Sequence, residues 1–287
     1  MLAATSDLSH QKQPKVRFKV GARQKGVAQL AGPLIADHSE HYNRIARDPR
    51  YRHFARIPAR IVRCLDHFQI TCDRIAAARI LSAYYIFIAV VDNAIDSGES
   101  QTATVVFEHL ARFVPNRSEL SDVALITENL KLQLDDKVGL PFRHQLGVLY
   151  ETVRRERSAV SIEAYLEVRK AVGRLTADLG YLLISPLLEG EKKSLRTFMQ
   201  QVGAVGCLVD SVIDLSSDQR RGLVSFIPTV RDYARLTLVA LSEGLSVGAK
   251  HPRLAGLFAL AVLDNVGDRF VAARQSISPR RDGQVAR

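Results

Sequence analysis

Tryptophan is absent from this 287-residue chain, and Phe and Tyr together make up only 7% of it. The three cysteines, Cys64, Cys72 and Cys207, form no C-x-x-C pair and no zinc pattern with the eight scattered histidines, which fits a reduced cytosol. Neither zinc-finger spacing nor an aromatic RNA-binding motif is present, so no nucleic acid partner is expected. The N-terminus lacks an apolar signal core, and the longest apolar stretch, 75–91, contains Arg79 and runs into Asp92. That makes it a poor membrane span and a good buried helix, and the expected location is cytoplasmic. Alternating strand-like runs are rare, and there is no tandem repeat, low-complexity block or linker.

What the chain does have is positive charge, unevenly placed. The formal net charge is +10, yet residues 1–63 hold 13 Lys/Arg against 4 Asp/Glu and residues 269–287 hold 5 against 1. The interior is therefore slightly acidic. Basic ends suit an anionic membrane or a polyanionic substrate, and the former implies peripheral membrane contact. Residues 1–37 read as a basic arm with little apolar periodicity, 38–275 as one helical domain, and 276–287 as a basic tail.

Apolar residues recur at three and four through most of the domain, which predicts an all-α fold. The expected helices are 38–48, 54–70, 73–97, 102–114, 118–135, 141–158, 161–185, 194–221, 228–247 and 252–275. They are separated by Pro49, Pro115, Gly139-Leu140-Pro141, the segment 186–190, Gly222 and His251-Pro252. Ser118, Ser161 and Ser194 are candidate N-caps. Gly222 is a candidate left-handed residue closing the helix that ends in Arg220-Arg221.

Two aspartate ladders stand on apolar helices. Asp92 and Asp96 close the run Tyr84-Tyr-Ile-Phe-Ile-Ala-Val-Val91, and Asp210, Asp214 and Asp218 follow Val202-Gly-Ala-Val-Gly-Cys-Leu-Val209. A four-residue step advances about 6 Å along a helix and stays near one face, so the carboxylates within each ladder point the same way. Near a helix C-terminus they oppose the macrodipole, and facing a core they repel one another unless a cation holds them. Mg²⁺ suits such a set, since it takes one or two carboxylates and completes its shell with water and phosphate. The pattern predicts two facing Mg²⁺ shelves with a diphosphate between them. Gly203 and Gly206 precede the second ladder at a cost of roughly 1 kcal/mol each relative to Ala. Such small residues admit either a close helix or a bulky apolar ligand.

The stretch Asp92-Asn-Ala-Ile-Asp96, followed by Asp214-Leu-Ser-Ser-Asp218-Gln-Arg-Arg-Gly222-Leu-Val-Ser-Phe-Ile-Pro228, resembles the squalene/phytoene synthase family of class I isoprenoid synthases. The segment Ala164-Tyr-Leu-Glu-Val-Arg-Lys-Ala-Val-Gly173 is similar to the helix that precedes that family's second motif, and the likeness spans roughly 40–275. Where the family carries supporting arginines and a second acid this chain has Ala89, Ile213 and Asn93. The register Asp210, Asp214, Asp218 is also similar to the three-ligand metal motif of terpene cyclases.

The resemblance implies a single-domain helical bundle with a central cavity and a Mg²⁺-dependent enzyme that ionises a prenyl diphosphate in that apolar space. Asp92, Asp96, Asp210, Asp214 and Asp218 would hold the metal. Arg220 and Arg221, with Arg56, Arg60 and Arg63 on one face of another helix, are candidates for the diphosphate. Tyr84, Tyr85, Phe87 and Tyr165 are candidate cavity walls facing a carbocation. Loss of the family's arginines favours chemistry on one substrate, a terpene synthase. Head-to-head condensation of two prenyl diphosphates is the alternative, and a non-enzymatic helical protein binding lipid or nucleic acid is a third reading.

Overall fold

In the computed structural model, residues 52–96, 136–190 and 192–277 are described. Among them the fold is all-α: α1 (Arg52–Cys64), α2 (Arg74–Asp96), α3 (Asp136–Glu156), α4 (Ile162–Ile184), a 3₁₀ turn Ser185–Leu187, α5 (Lys192–Arg220), α6 (Val230–Lys250) and α7 (Pro252–Ile277). The expected helices 38–48, 102–114 and 118–135, the basic arm 1–37 and the tail beyond Ile277 lie outside the described residues.

α2 is buried along most of its length, packed on α1 and α4. Ala77, Ala78, Leu81, Tyr84, Tyr85, Ile86, Phe87, Ala89 and Val91 are all buried, the signature of a helix covered on nearly every side. Asp73 starts it, its carboxylate accepting from the backbone N–H groups of Ile75 and Ala76 at 3.0 Å each. α4 packs against α2 and, more extensively, against α5. A Cβ on Gly173 would lie 2.2 Å from the carbonyl oxygen of Gly203, and one on Gly203 would lie 2.3 Å from that of Gly173. Only a glycine pair permits this approach.

Several ends follow the sequence and others do not. Ser161 caps α4 by accepting from Ala164 N–H. Gly222, at φ +71°, closes α5: its N–H reaches Gln219 O at 3.1 Å and Leu223 N–H reaches Asp218 O at 2.8 Å, the paired bonds of a Schellman ending. Ser194 is not a cap, because α5 already begins at Lys192. α1 stops at Cys64 rather than 70. No glycine or proline marks the stop; the chain folds back so that Leu65 and Ile70 both bury, with Ile70 N–H bonded to Leu65 O and Gln69 at φ +54°. Pro141, expected as a breaker, lies inside α3. Its ring is exposed and costs the helix a single backbone hydrogen bond, that to Lys137 O.

α5 is also long and apolar enough to cross a membrane by length and composition. It packs against α4, α6 and α7 and lines the cavity described next.

Candidate functional site

Six helices enclose a cavity of about 330 Å³. Its lining is ordered along each helix. On α5 the cavity residues run from Phe198 and Met199 through Val202, Gly203 and Gly206 to Asp210, Asp214 and Asp218. On α2 they run from Tyr85 and Ile88 to Asp92, on α3 from Leu149 and Val153 to Glu156 and Arg157, and on α7 from Leu254, Leu257 and Phe258 to Asn265. α4 contributes Ala177 and Gly173 towards one end and Arg169 towards the other.

Cross-links between helices show that these ends coincide. Asn265 Nδ2 donates to Asp210 Oδ1 at 2.6 Å, and Arg169 Nε donates to Ser211 Oγ at 2.7 Å. Phe198, Leu254 and Cys64 share one apolar cluster at the opposite end. Phe198 and Asp210 are twelve residues apart on α5, so the cavity runs about 18 Å from an apolar end to a polar one.

Asp92 of the first ladder lines this cavity together with Asp210, Asp214 and Asp218 of the second. On the same wall, burial first, then the carboxylates of Glu156, Asp210 and Asp92, outweigh the nearby Arg169 guanidinium and push the Cys207 thiol up to about 12. A thiol so held stays protonated and is no competing soft ligand. The donors on this wall are therefore carboxylate oxygens, the set a hard divalent cation selects. Among the described residues no three acidic, histidine or cysteine side chains converge tightly enough to hold a metal by themselves. Asp96 ends α2, and its side chain lies outside the described residues.

Other candidates separate. Tyr85 lines the cavity, whereas Tyr84, Phe87 and Tyr165 do not. Tyr84 is fully buried and its hydroxyl donates to Thr176 O at 2.8 Å, fastening α2 to α4. Phe87 sits in the main core and Tyr165 in a second core, edge-on to Phe226. Arg220 and Arg221 are exposed and line no part of the cavity, because the helix turns them outward as it ends. Arg56 and Arg60 meet acids on α7. Arg56 Nη1 is 2.9 Å from Asp268, Arg60 Nη2 is 2.6 Å from Asp264, and Arg52 Nε is 3.0 Å from Asp268. Arg60 also lines the cavity; Arg56 does not. The arginine stripe on α1 is thus largely an interhelical seam.

Besides Arg60, two further cations line the cavity that reading the sequence missed, the exposed Arg157 and the half-buried Arg169. Arg169 is held by Glu156, its Nη1 lying 3.1 and 3.2 Å from the two carboxylate oxygens, and Nη2 donates to Cys207 O at 3.3 Å. Arg157 follows the end of α3 and makes no ion pair among the described residues. Ala89 and Ile213, where the resembling family carries arginine, are an apolar core residue and a half-buried one. Arg169 stands in the quoted segment 164–173, one turn after Tyr165, and that spacing was the available signal.

No family model matches the chain, and no solved structure matches it. The heat-inducible transcription repressor HrcA of Kineococcus radiotolerans is similar over 81 residues at 31% identity, covering 25% of this chain and 23% of the repressor. The chain thus spans less than a quarter of that relative's length.

Proposed function

We propose that this protein is a Mg²⁺-dependent class I terpene synthase that ionises one prenyl diphosphate and forms a cyclic terpene in the same cavity. The reading rests on the cavity's polarity: four ladder carboxylates, Asp92, Asp210, Asp214 and Asp218, line one end of a space whose other end is apolar. A prenyl diphosphate has the same division between an anionic head and an aliphatic tail.

Asp92 and the α5 ladder, with Asp96, would hold the metal, which supplies the positive charge that makes diphosphate a leaving group. Arg157 adds positive charge beside that head, in place of Arg220 and Arg221, while Arg169, paired with Glu156, braces the wall of α5 through Ser211 and Cys207. The allylic C–O bond breaks heterolytically and its electron pair leaves with the diphosphate. The cation then closes on an internal double bond of the same chain and ends by losing a proton. Tyr85, Phe198 and Phe258 line the space in which this happens, keep water away from the cation and offer ring faces to it. A cytoplasmic setting with peripheral contact to anionic membrane suits the basic ends.

The test is incubation of pure protein with Mg²⁺ and C10, C15 or C20 prenyl diphosphates, with organic extracts read by mass spectrometry. The expected product keeps the carbon count of its substrate, and chelation with EDTA abolishes it. A product of twice that count would select head-to-head condensation instead. A non-enzymatic binding protein is favoured by the partial likeness to a transcription repressor. Prenyl ligand binding without diphosphate release, together with retention of duplex DNA, would select that reading.

A further inference from the structure

Gly203 and Gly206 carry the same conformational cost on α5, and only Gly203 has its reason in packing. A Cβ on Gly203 would collide with the backbone of α4, whereas a Cβ on Gly206 would meet nothing within 4 Å. Gly206 lines the cavity one turn before Asp210, between the acidic end and the apolar end that Phe198 marks. Among the described residues nothing lies within 4 Å of where its side chain would begin.

We infer that Gly206 sets the reach of the cavity: its bare backbone is the passage through which the aliphatic tail of a long prenyl diphosphate runs from the carboxylates to the apolar end. This rests on the proposed function and deepens it by assigning the substrate class, a chain long enough to pass Gly206. Val202 and Val209 flank it on α5, and Met199 and Phe198 lie beyond. A leucine at 206 would fill the passage while the head-group site, one turn further on, stays as it is. A short chain that ends before 206 is indifferent to the change, and a long one is excluded.

The experiment compares wild type, Gly206→Ala and Gly206→Leu in calorimetric binding of the C10 and C20 prenyl thiodiphosphates with Mg²⁺, alongside turnover of the matching diphosphates. The thiodiphosphates bind without ionising, so binding is judged apart from chemistry. Gly206→Leu is expected to weaken the C20 ligand at least about 20-fold and the C10 ligand less than about threefold, with Gly206→Ala between. Gly206→Ala should also melt at least about 2 °C higher, since alanine removes the glycine cost without a clash. Gly203→Ala, which meets backbone at 2.3 Å, should melt lower and marks what a packing glycine does. Equal weakening of both ligands by Gly206→Leu, or of neither, overturns the inference. Chain-length selective binding without turnover by wild type would uphold Gly206 and defeat the synthase reading. Failure of wild type to bind either ligand overturns both.

Discussion

Three aspartate ladders in this chain share the four-residue step: Asp92 with Asp96, Asp210 with Asp214 and Asp218, and Asp264 with Asp268. The first and third even share their second residue, Asp-Asn-Ala-Ile-Asp against Asp-Asn-Val-Gly-Asp. Their surroundings differ. Asp264 and Asp268 face Arg52, Arg56 and Arg60, which repeat at the same interval on α1, so acid and base ladders close into a seam. Asp92, Asp214 and Asp218 face a cavity. The spacing fixes only that the carboxylates share a face; the side chains opposite decide whether the face is structure or site.

Replacing charges at the two places should therefore break different properties. In the cavity, Asp92→Asn or Asp214→Asn is expected to lower Mg²⁺-dependent diphosphate release at least about a hundredfold, because each removes negative charge that would hold metal against the leaving group. Thermal melting should hold or rise slightly, since repulsion between neighbouring carboxylates is relieved. Circular dichroism melts beside single-turnover assays measure both. Unfolding of both variants with unchanged activity per folded molecule would move these aspartates to the structural side of the comparison.

In the seam the expected loss is of stability. Arg56→Met leaves the Asp268 carboxylate, only 10% exposed, with less compensating charge, and should cost roughly 2 kcal/mol, below the range for fully buried pairs because Arg56 is half-exposed. Asp268→Asn should cost much less. Burial already raises the Asp268 carboxyl above its ordinary value despite Arg56 and Arg52, so the neutral amide suits that site. Urea titrations of the two variants give the difference, and activity per folded molecule should stay within about threefold of wild type.

A third effect is smaller and concerns cations. Arg157→Gln should raise KM for a prenyl diphosphate by about tenfold, the worth of one charge-assisted contact, while Arg220→Gln should leave it unchanged. The reverse result would restore the helix-end arginines to the site.

The ladders and most helices were legible in the sequence because each rests on local periodicity. The glycine cost on α5 was legible too, but not its division between a crossing at Gly203 and open space at Gly206, which depends on where α4 lies. The early end of α1 had no local signal, since residues 65–69 contain neither glycine nor proline. The seam had one that went unread: arginines at 52, 56 and 60 and aspartates at 264 and 268 repeat at the same interval with opposite sign. Arg169 had a local signal, its place one turn after Tyr165, whereas Arg157, beyond the end of α3, had none.

The smallest expected effect tests the same rule at the apolar end, where the neighbours have the wrong sign. His251 packs its ring against Phe68 and Phe198, and burial, then His67 and Lys250, lower its pKa below the ordinary value of 6.5. The unfolded chain then binds more protons than the folded one between the lowered value and 6.5, so stability rises with pH across that interval and is lost as pH falls through it. His251→Gln should flatten this slope in urea midpoints taken from about pH 5 to 7, while leaving the plateau above it nearly unchanged. A steeper slope in the variant would mean that His251 gains a counter-charge on folding. It would then belong with the paired aspartates of the seam rather than with groups held against a one-signed or apolar wall.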